Sequence, residues 1–218
     1  MLKRLWILLF PPKCVHCGKL LADNETDLCT HCRANAPVFE KSNFRISFVA
    51  NWTAVWYYND NVRNGILRFK FSKRRSYANA YGRYLAMKLM TIGKTDFDLL
   101  TWVTTGRKRK RKRGYDHAEL IARSVAKELG VEAIRVLKKI RNTAPQSTFS
   151  TAAQRRANIL GAYKVSDPRL VANKRILVID DIITTGATAS ECAKTLLTAG
   201  AKEVRFAAVA VASHDTKK

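Results

Sequence analysis

Two adjacent carboxylates and a loop of small hydroxylated residues stand near the carboxyl end of the sequence. Residues 175–179 (RILVI) predict a buried strand, and Asp180 and Asp181 follow it directly. The loop that leads from there into a predicted helix contains Thr184, Thr185, Gly186, Ala187 and Thr188. This order of residue types is typical of a binding site at the end of a strand.

The chemistry of these residues favours a sugar phosphate. Free backbone N–H groups at the start of a helix bind phosphate, and Gly186 allows the backbone to approach it closely. Carboxylates repel phosphate, but they bind vicinal hydroxyls or Mg²⁺. We therefore expect a 5′-phosphate on the loop and a ribose diol, with Mg²⁺, beside the aspartates. The alternative is a strand-end turn whose Asp and Thr residues only cap the helix.

Four of the five cysteines have the spacing of a metal site. Cys14 and Cys17 form one Cys-x-x-Cys pair, and Cys29 and Cys32 form a second after eleven intervening residues. Two such pairs predict one tetrathiolate zinc centre, whose metal supplies most of the folding energy of so short a segment. The alternative is two disulfides in an exported protein. His16 and His31, inside the pairs, are expected not to bind the metal, and Cys192 is expected in the core.

A run of seven cations follows a predicted buried strand, residues 98–104. The run contains Arg107, Lys108, Arg109, Lys110, Arg111, Lys112 and Arg113. Ligands of open α/β sheets bind beyond the carboxyl ends of the strands, so the run is predicted to be a loop that contacts phosphate or nucleic acid. A solvated, mobile loop is the alternative. Tyr115 beyond it is expected to pack on a helix or to stack on an unpaired base.

The charge of the whole chain supports a polyanionic partner. Lys and Arg number 40 against 17 Asp and Glu among the 218 residues, a net charge of +23. Such an excess is typical of proteins that meet nucleic acid, nucleotide phosphates or anionic membranes. More cations stand at Arg68, Lys70 and Lys73–Arg75, and residues 62–83 contain no acid. Residues 1–10 predict a short amphipathic helix; with no transmembrane helix expected, the predicted compartment is the cytoplasm.

The elements that would position these residues form an α/β domain. Strands are predicted over 52–58, 98–104, 175–179 and 203–212, and helices over 62–71, 77–90, 115–129 and from the Thr loop to residue 199. Residues 59–61 predict a turn, and 138–163 predict a long loop or lid. The last two strands and their helix form a right-handed βαβ unit, which implies a parallel sheet flanked by helices.

Several segments together carry a family resemblance. ILVIDDIITTGAT is similar to the phosphoribosyl-diphosphate (PRPP) signature of type I phosphoribosyltransferases. LLFPPKCVHCG, RKRGYDHAELIA and RNTAPQSTFSTAAQRRANILGAY resemble further segments of the ComF family, in the family's order. The resemblance implies a zinc knuckle over residues 1–40 and a phosphoribosyltransferase-like domain over 45–218.

The resemblance also implies roles for particular residues. Asp180 and Asp181 would be the catalytic pair that holds the ribose diol, with Mg²⁺ nearby, and the Thr184–Thr188 loop would hold the 5′-phosphate. The pyrophosphate-binding segment would contain Thr104, Thr105, Gly106 and Arg107. This segment lacks the prolines common in the family, since residues 102–105 read WVTT.

Two classes of function remain open at this point. One is a PRPP-binding protein of DNA uptake in natural competence, which contacts single-stranded DNA and works with a helicase-like partner at the membrane channel. The other is an active Mg²⁺-dependent phosphoribosyltransferase of nucleotide metabolism with an unknown acceptor. Thr184 stands where the 6-oxopurine enzymes have an Asp, and Thr is no general base at neutral pH, so purine salvage is disfavoured.

Overall fold

The computed structural model describes residues 11–144 and 148–212, and its centre is a four-stranded parallel sheet. The strands are, in chain order, β1 Asn51–Tyr57, β2 Leu99–Trp102, β3 Leu137–Lys139, β4 Tyr163–Val165, β5 Arg175–Ile183 and β6 Glu203–Val211. The central sheet has the order β1-β6-β5-β2, while β3 and β4 form a separate antiparallel pair. Because the central strands are all parallel, their carboxyl ends meet at one edge.

Helices cover both faces of this sheet. They are α1 Thr30–Asn35, α2 Asp60–Phe71, α3 Tyr77–Thr91, α4 Arg107–Arg113, α5 His117–Leu129, α6 Ala152–Ile159 and α7 Ala187–Thr198, with a 3₁₀ turn at Pro168–Leu170. The strand–helix–strand unit of β5, α7 and β6 confirms the predicted βαβ unit. In the described part of the chain, we find no helix long and apolar enough to span a bilayer.

Each face of the sheet has its own apolar core. Along β5, Leu177 and Ile179 pack on the side of α3 and α5, while Ile176 and Val178 pack on the side of α7. This alternation follows from the two-residue period of a strand. Cys192, on α7, is fully buried in the second core, as predicted.

Three predictions of local structure were wrong. Residues 59–61 are not a free turn, because Asn59 is the N-cap of α2. The run 107–113 is a helix rather than a loop: Lys and Arg have good helix propensity, and Gly114, at φ 82°, ends the helix in the left-handed region. Gly114 therefore closes α4, and α5 begins at His117.

The segment 138–163 was the third error. It contains β3, α6 and β4 instead of a structureless loop. The helix begins with a capping box in which Thr151 accepts a hydrogen bond from the Gln154 backbone and Gln154 accepts one from Thr151. The predicted amphipathic helix at residues 1–10 lies outside the described residues.

Candidate functional site

The two aspartates of β5 reach the carboxyl edge of the sheet and face opposite sides of it. Asp181 forms an ion pair with Lys70, whose Nζ lies 2.8 Å from Asp181 Oδ1. Asp180 lies on the other face, in the electrostatic field of Lys139 and Asp116. Neighbouring residues of the chain therefore meet different surroundings, as the strand period requires.

These surroundings move the two carboxyl pKa values apart. Burial, and then the charge of Asp181, raise the pKa of Asp180 well above its ordinary value. Burial also acts to raise the pKa of Asp181, but Lys70, His117 and Arg113 together outweigh it and the pKa is lowered. Asp181 is thus an anion, while Asp180 is a carboxyl group of raised pKa that a bound cation or hydroxyl pair would stabilise.

The Thr184–Thr188 loop has the features of a phosphate site. Gly186 is the N-cap residue of α7, with φ 71°. The hydroxyl of Thr185 is buried and has no hydrogen-bond partner within the described residues. A buried hydroxyl without a partner is rare in native proteins, and the first N–H groups of the helix also lack intrahelical acceptors. Both kinds of donor fit a phosphate oxygen.

A feature that the sequence did not predict lies over this loop. A Cβ atom on Gly186 would come within 2.9 Å of the Ile46 side chain. Ile46 belongs to the connection between the cysteine segment and β1, and it is buried. Gly186 is therefore required both by its backbone angle and by this close approach.

The segment after β2 reaches the same sheet edge, because β2 and β5 pair in parallel with Trp102 opposite Ile179. Asp116 organises it: one carboxylate oxygen accepts the Thr105 backbone N–H at 2.7 Å, and the other accepts the Thr105 hydroxyl at 3.2 Å. The hydroxyl of Thr104 is buried without a partner in the described chain. The structure thus brings residues 104–107 to the same sheet edge as the two aspartates.

Lys139 is a site residue that sequence reasoning missed. Its Cδ lies 3.6 Å from the position that a Cβ on Gly106 would take, so it borders the 104–107 segment. Burial, and then Arg109, lower the pKa of Lys139 to about 8. The lysine stood inside a segment interpreted as a loop, and no local pattern marked it.

The cations of α4 join those of a second segment. We call α4 together with Lys73–Arg75 the basic surface. Arg75 Nη2 donates to the Gly114 carbonyl at 2.9 Å, and Arg113 lies over the Phe71 ring with its guanidinium 5.0 Å from the centroid. Every residue of α4 is exposed or half-buried. The two charged segments, separate in sequence, therefore form one surface.

Tyr115 does not belong to the exposed part of this surface. The ring is 5% exposed, and its hydroxyl donates to the Phe69 carbonyl. The prediction of a helix-packing residue is confirmed, and the alternative of base stacking is wrong.

The four cysteines form the predicted metal centre. The sulfur atoms of Cys14, Cys17, Cys29 and Cys32 all lie within 4.8 Å of one another, and those of Cys17 and Cys29 are 3.7 Å apart. Four sulfurs at 2.3 Å from a tetrahedral Zn²⁺ would be separated by about 3.8 Å. The donor set and its spacing therefore fit zinc. As expected, His16 does not join the cluster, and its ring packs edge-on against Trp56 at 4.5 Å.

The metal segment packs directly on the sheet domain. Val15, Leu28 and the buried cysteines belong to the same apolar core as Trp56 and Tyr81. The Tyr81 hydroxyl donates to the Val15 carbonyl at 3.3 Å. The cysteine segment therefore shares its core with the sheet domain.

Comparison with known proteins gives the class first. Residues 5–43 match the double zinc ribbon domain, and residues 115–218 match the phosphoribosyl transferase domain. The second match includes Asp116, both aspartates of β5 and the Thr loop. The fold is thus a phosphoribosyltransferase-type parallel sheet with flanking helices, preceded by a zinc ribbon.

Individual relatives of the chain are named for DNA utilization and for competence. The chain is 30% identical over 145 residues to DNA utilization protein YhgH of Escherichia coli O157:H7, covering 64% of this chain and 63% of that protein. It is 25% identical over 200 residues to Competence protein F of Haemophilus influenzae, covering 89% and 82% of the two chains. A solved structure of the allosteric regulatory enzyme of purine biosynthesis matches at 20% identity and a TM-score of 0.42, over 64% of this chain and 29% of that one. The chain thus has the two domains and the named relatives that its resemblance to the ComF family predicts.

Proposed function

We propose that the chain binds PRPP with Mg²⁺ at the carboxyl edge of the sheet and acts in DNA uptake, where it contacts single-stranded DNA. The observation that carries the PRPP part is the meeting, at one edge, of two half-buried aspartates and two segments. Each segment holds a buried hydroxyl, on Thr104 and on Thr185, that has no partner among the described residues. Such a set of donors and carboxylates fits a ligand with phosphates at both ends and a diol between them.

Each part of PRPP has a matching group in this proposal. The Thr184–Thr188 loop would receive the 5′-phosphate through its N–H groups and the Thr185 hydroxyl. Asp180 and Asp181 would accept hydrogen bonds from the ribose hydroxyls. Residues 104–107 would receive the pyrophosphate, with Lys139 beside them. Mg²⁺ bound with PRPP would neutralise part of the pyrophosphate charge.

The basic surface supports the DNA part of the proposal. Five of the seven cations of α4 are exposed, and Arg75 of the Lys73–Arg75 segment is hydrogen-bonded to Gly114 at the end of the helix. One pyrophosphate needs only two or three cations, so the surface has more charge than the small ligand requires. A DNA backbone, with a charge at every nucleotide, matches such a surface. A helicase-like partner at the membrane channel belongs to the same proposal.

Phosphoribosyl transfer to an acceptor is the second candidate function. It is favoured by Lys139, whose pKa of about 8 lets it hold or release a proton near neutral pH beside the proposed pyrophosphate segment. The departing pyrophosphate would meet this group. Thr184 gives no base for a purine acceptor, which leaves the acceptor class open in this candidate.

One experiment separates the two candidates. PRPP with Mg²⁺ should raise the melting temperature of the full chain, because a ligand bound only by the native state stabilises it. Pyrophosphate release is then measured with a panel of nucleobases, next to a salt titration with single-stranded and duplex DNA. Binding of PRPP without turnover, with salt-dependent DNA binding, supports the first candidate. Nucleobase-dependent release supports the second, and the absence of any PRPP effect contradicts both.

A further inference from the structure

Lys70 contacts the proposed PRPP site from outside the sheet. Its Nζ lies 2.8 Å from Asp181 Oδ1, and the two side chains are 17% and 14% exposed. The partners are 111 residues apart in sequence. The lysine thus compensates the charge of a carboxylate that stands beside Asp180.

The place of Lys70 is set by α2, and the other side of α2 is docked on the zinc ribbon. Gly65 and Arg68, three residues apart, share one face of the helix. A Cβ on Gly65 would come within 2.2 Å of the Val15 carbonyl oxygen, so only glycine permits this docking. Arg68 donates to the carbonyl of His16. Lys70 follows Arg68 by two residues, about 200° around the helix, and so faces away from the ribbon.

The alternative is that the Lys70–Asp181 ion pair only stabilises the fold. That alternative does not explain why the cation lies on Asp181 of the aspartate pair. Buried ion pairs often add little net stability, because desolvation offsets the attraction between the charges. Two carboxylates side by side in a strand also resist joint ionisation. A cation on Asp181 lets that residue stay charged while Asp180 is free to meet a ligand. The ion pair therefore contributes more to ligand binding than to the stability of the fold.

We propose that Lys70 is a positioning residue for Asp181 and that the zinc ribbon sets its place through α2. The inference rests on the proposed PRPP function, because Asp181 is there assigned to the ribose hydroxyls. In this proposal the zinc ribbon helps to build the binding site. The ribbon contacts α2 at Gly65 and Arg68 and so fixes the position of the helix. Lys70, on the same helix, then orients the Asp181 carboxylate.

The first test measures PRPP–Mg²⁺ affinity of the full chain by titration calorimetry. Lys70→Met, which keeps the length of the side chain, should weaken binding at least tenfold. Lys70→Arg should restore most of it, because the guanidinium can still pair with a carboxylate. Arg63→Met removes an exposed cation from the same helix and should leave the affinity unchanged. Equal affinity in Lys70→Met and the unmodified chain would overturn the proposal.

The second test does not depend on PRPP. Gly65→Ala and removal of zinc by a chelator should each raise amide hydrogen exchange in α2 and at residues 180–183, beyond any change at the β3–β4 pair. Exchange that rises only in the cysteine segment would overturn the coupling. If the unmodified chain does not bind PRPP but the exchange result holds, the proposed function has failed and the link from ribbon to Asp181 stands.

Discussion

Asp180 and Asp181 are neighbours in the chain, yet the strand separates their chemistry. The pKa of Asp181 is lowered because Lys70, with His117 and Arg113, outweighs its burial, and that of Asp180 is raised by burial and by the charge of Asp181. One carboxylate is therefore fixed by a protein partner, while the other awaits a ligand. In the proposed site both carboxylates accept hydrogen bonds from the ribose hydroxyls, and Lys70 sets the orientation of Asp181 before the ligand binds.

A double-mutant cycle tests the pairing of Lys70 with Asp181. Asp181→Asn should abolish PRPP binding and lower the free energy of unfolding, because Lys70 is left half-buried without its partner. Adding Lys70→Met should recover stability but not binding, with a coupling energy of about 0.5–3 kcal/mol. Denaturant unfolding measures the stability, and titration calorimetry the PRPP affinity, of the unmodified chain, the two single variants and the double variant. Additive losses of stability would contradict the pairing.

Lys139 gives the site a predicted pH dependence. The pKa of its ammonium group is about 8 in the free protein, so the lysine is charged below that pH and loses its proton above it. A pyrophosphate favours the charged form. PRPP affinity should therefore be constant up to about pH 8 and then fall roughly tenfold per pH unit.

Titration calorimetry from pH 6.5 to 9.5 measures this dependence in buffers of different ionisation enthalpy. Proton uptake on binding should appear above pH 8 in the unmodified chain and be absent in Lys139→Met. Retention of the same pH profile in Lys139→Met would assign the effect to another group.

At the scale of elements, α4 places its charges on the surface in a fixed arrangement. A helix of seven cations is self-repelling, so its stability comes from contacts outside it. Arg109 donates to the Thr143 carbonyl at 2.8 Å, and Lys110 pairs with Glu119 at 3.1 Å. The exposed members remain available to a polyanion, and Lys110 is among them because its pair with Glu119 is a weak surface ion pair. The helix is thus built as an interaction surface with a few anchored side chains.

Neutralising exposed cations of α4 should weaken DNA binding in proportion. For Lys110→Ala with Lys112→Ala, the slope of log affinity against log salt for single strands should decrease by about 0.7 per lost contact. Fluorescence anisotropy at several salt concentrations measures the slope. Lys194→Ala with Lys202→Ala, two exposed lysines outside the basic surface, is the matched control. Equal slopes in both double variants would tell against the DNA role of α4.

At the scale of the whole molecule, the zinc ribbon and the sheet domain share one apolar core. Val15 and Leu28 are 3% and 2% exposed and contact the cluster that includes Tyr81. Loss of the metal should therefore expose part of the apolar core that the sheet domain shares with the ribbon. This differs from a bead-on-a-string arrangement, in which the ribbon unfolds alone.

Cys32→Ser tests this shared core. The variant should lose zinc and destabilise the whole chain, by about 1.5–3 kcal/mol for each large apolar side chain that becomes exposed. Elemental analysis measures the metal, and denaturant unfolding followed by tryptophan fluorescence measures stability, since three of the four tryptophans, Trp52, Trp56 and Trp102, lie in the sheet domain. Cys192→Ser, outside the metal cluster, should keep its zinc. A zinc-free Cys32→Ser protein with unchanged stability would show that the sheet domain does not depend on the ribbon.

The sequence alone predicted what depends on neighbouring residues. The apolar run of β5, the Asp pair and the Thr loop are contiguous in the chain. The two Cys-x-x-Cys pairs are likewise local, and their spacing predicts a metal site. Two local signals also stood in the sequence unused: Gly114 as the C-terminal cap of α4, and the capping box of Thr151 and Gln154. Both explain why predicted loops proved to be helices.

Only the tertiary structure determined which groups complete the site. Lys70 is 111 residues from Asp181, and Lys139 borders Gly106 from a different strand pair. Asp116 holds Thr105 because a helix start meets the end of β2. Such contacts follow from how elements pack across the sheet. Side-chain type and local spacing do not specify these contacts, because the sequence does not distinguish an exposed lysine from one that faces a site.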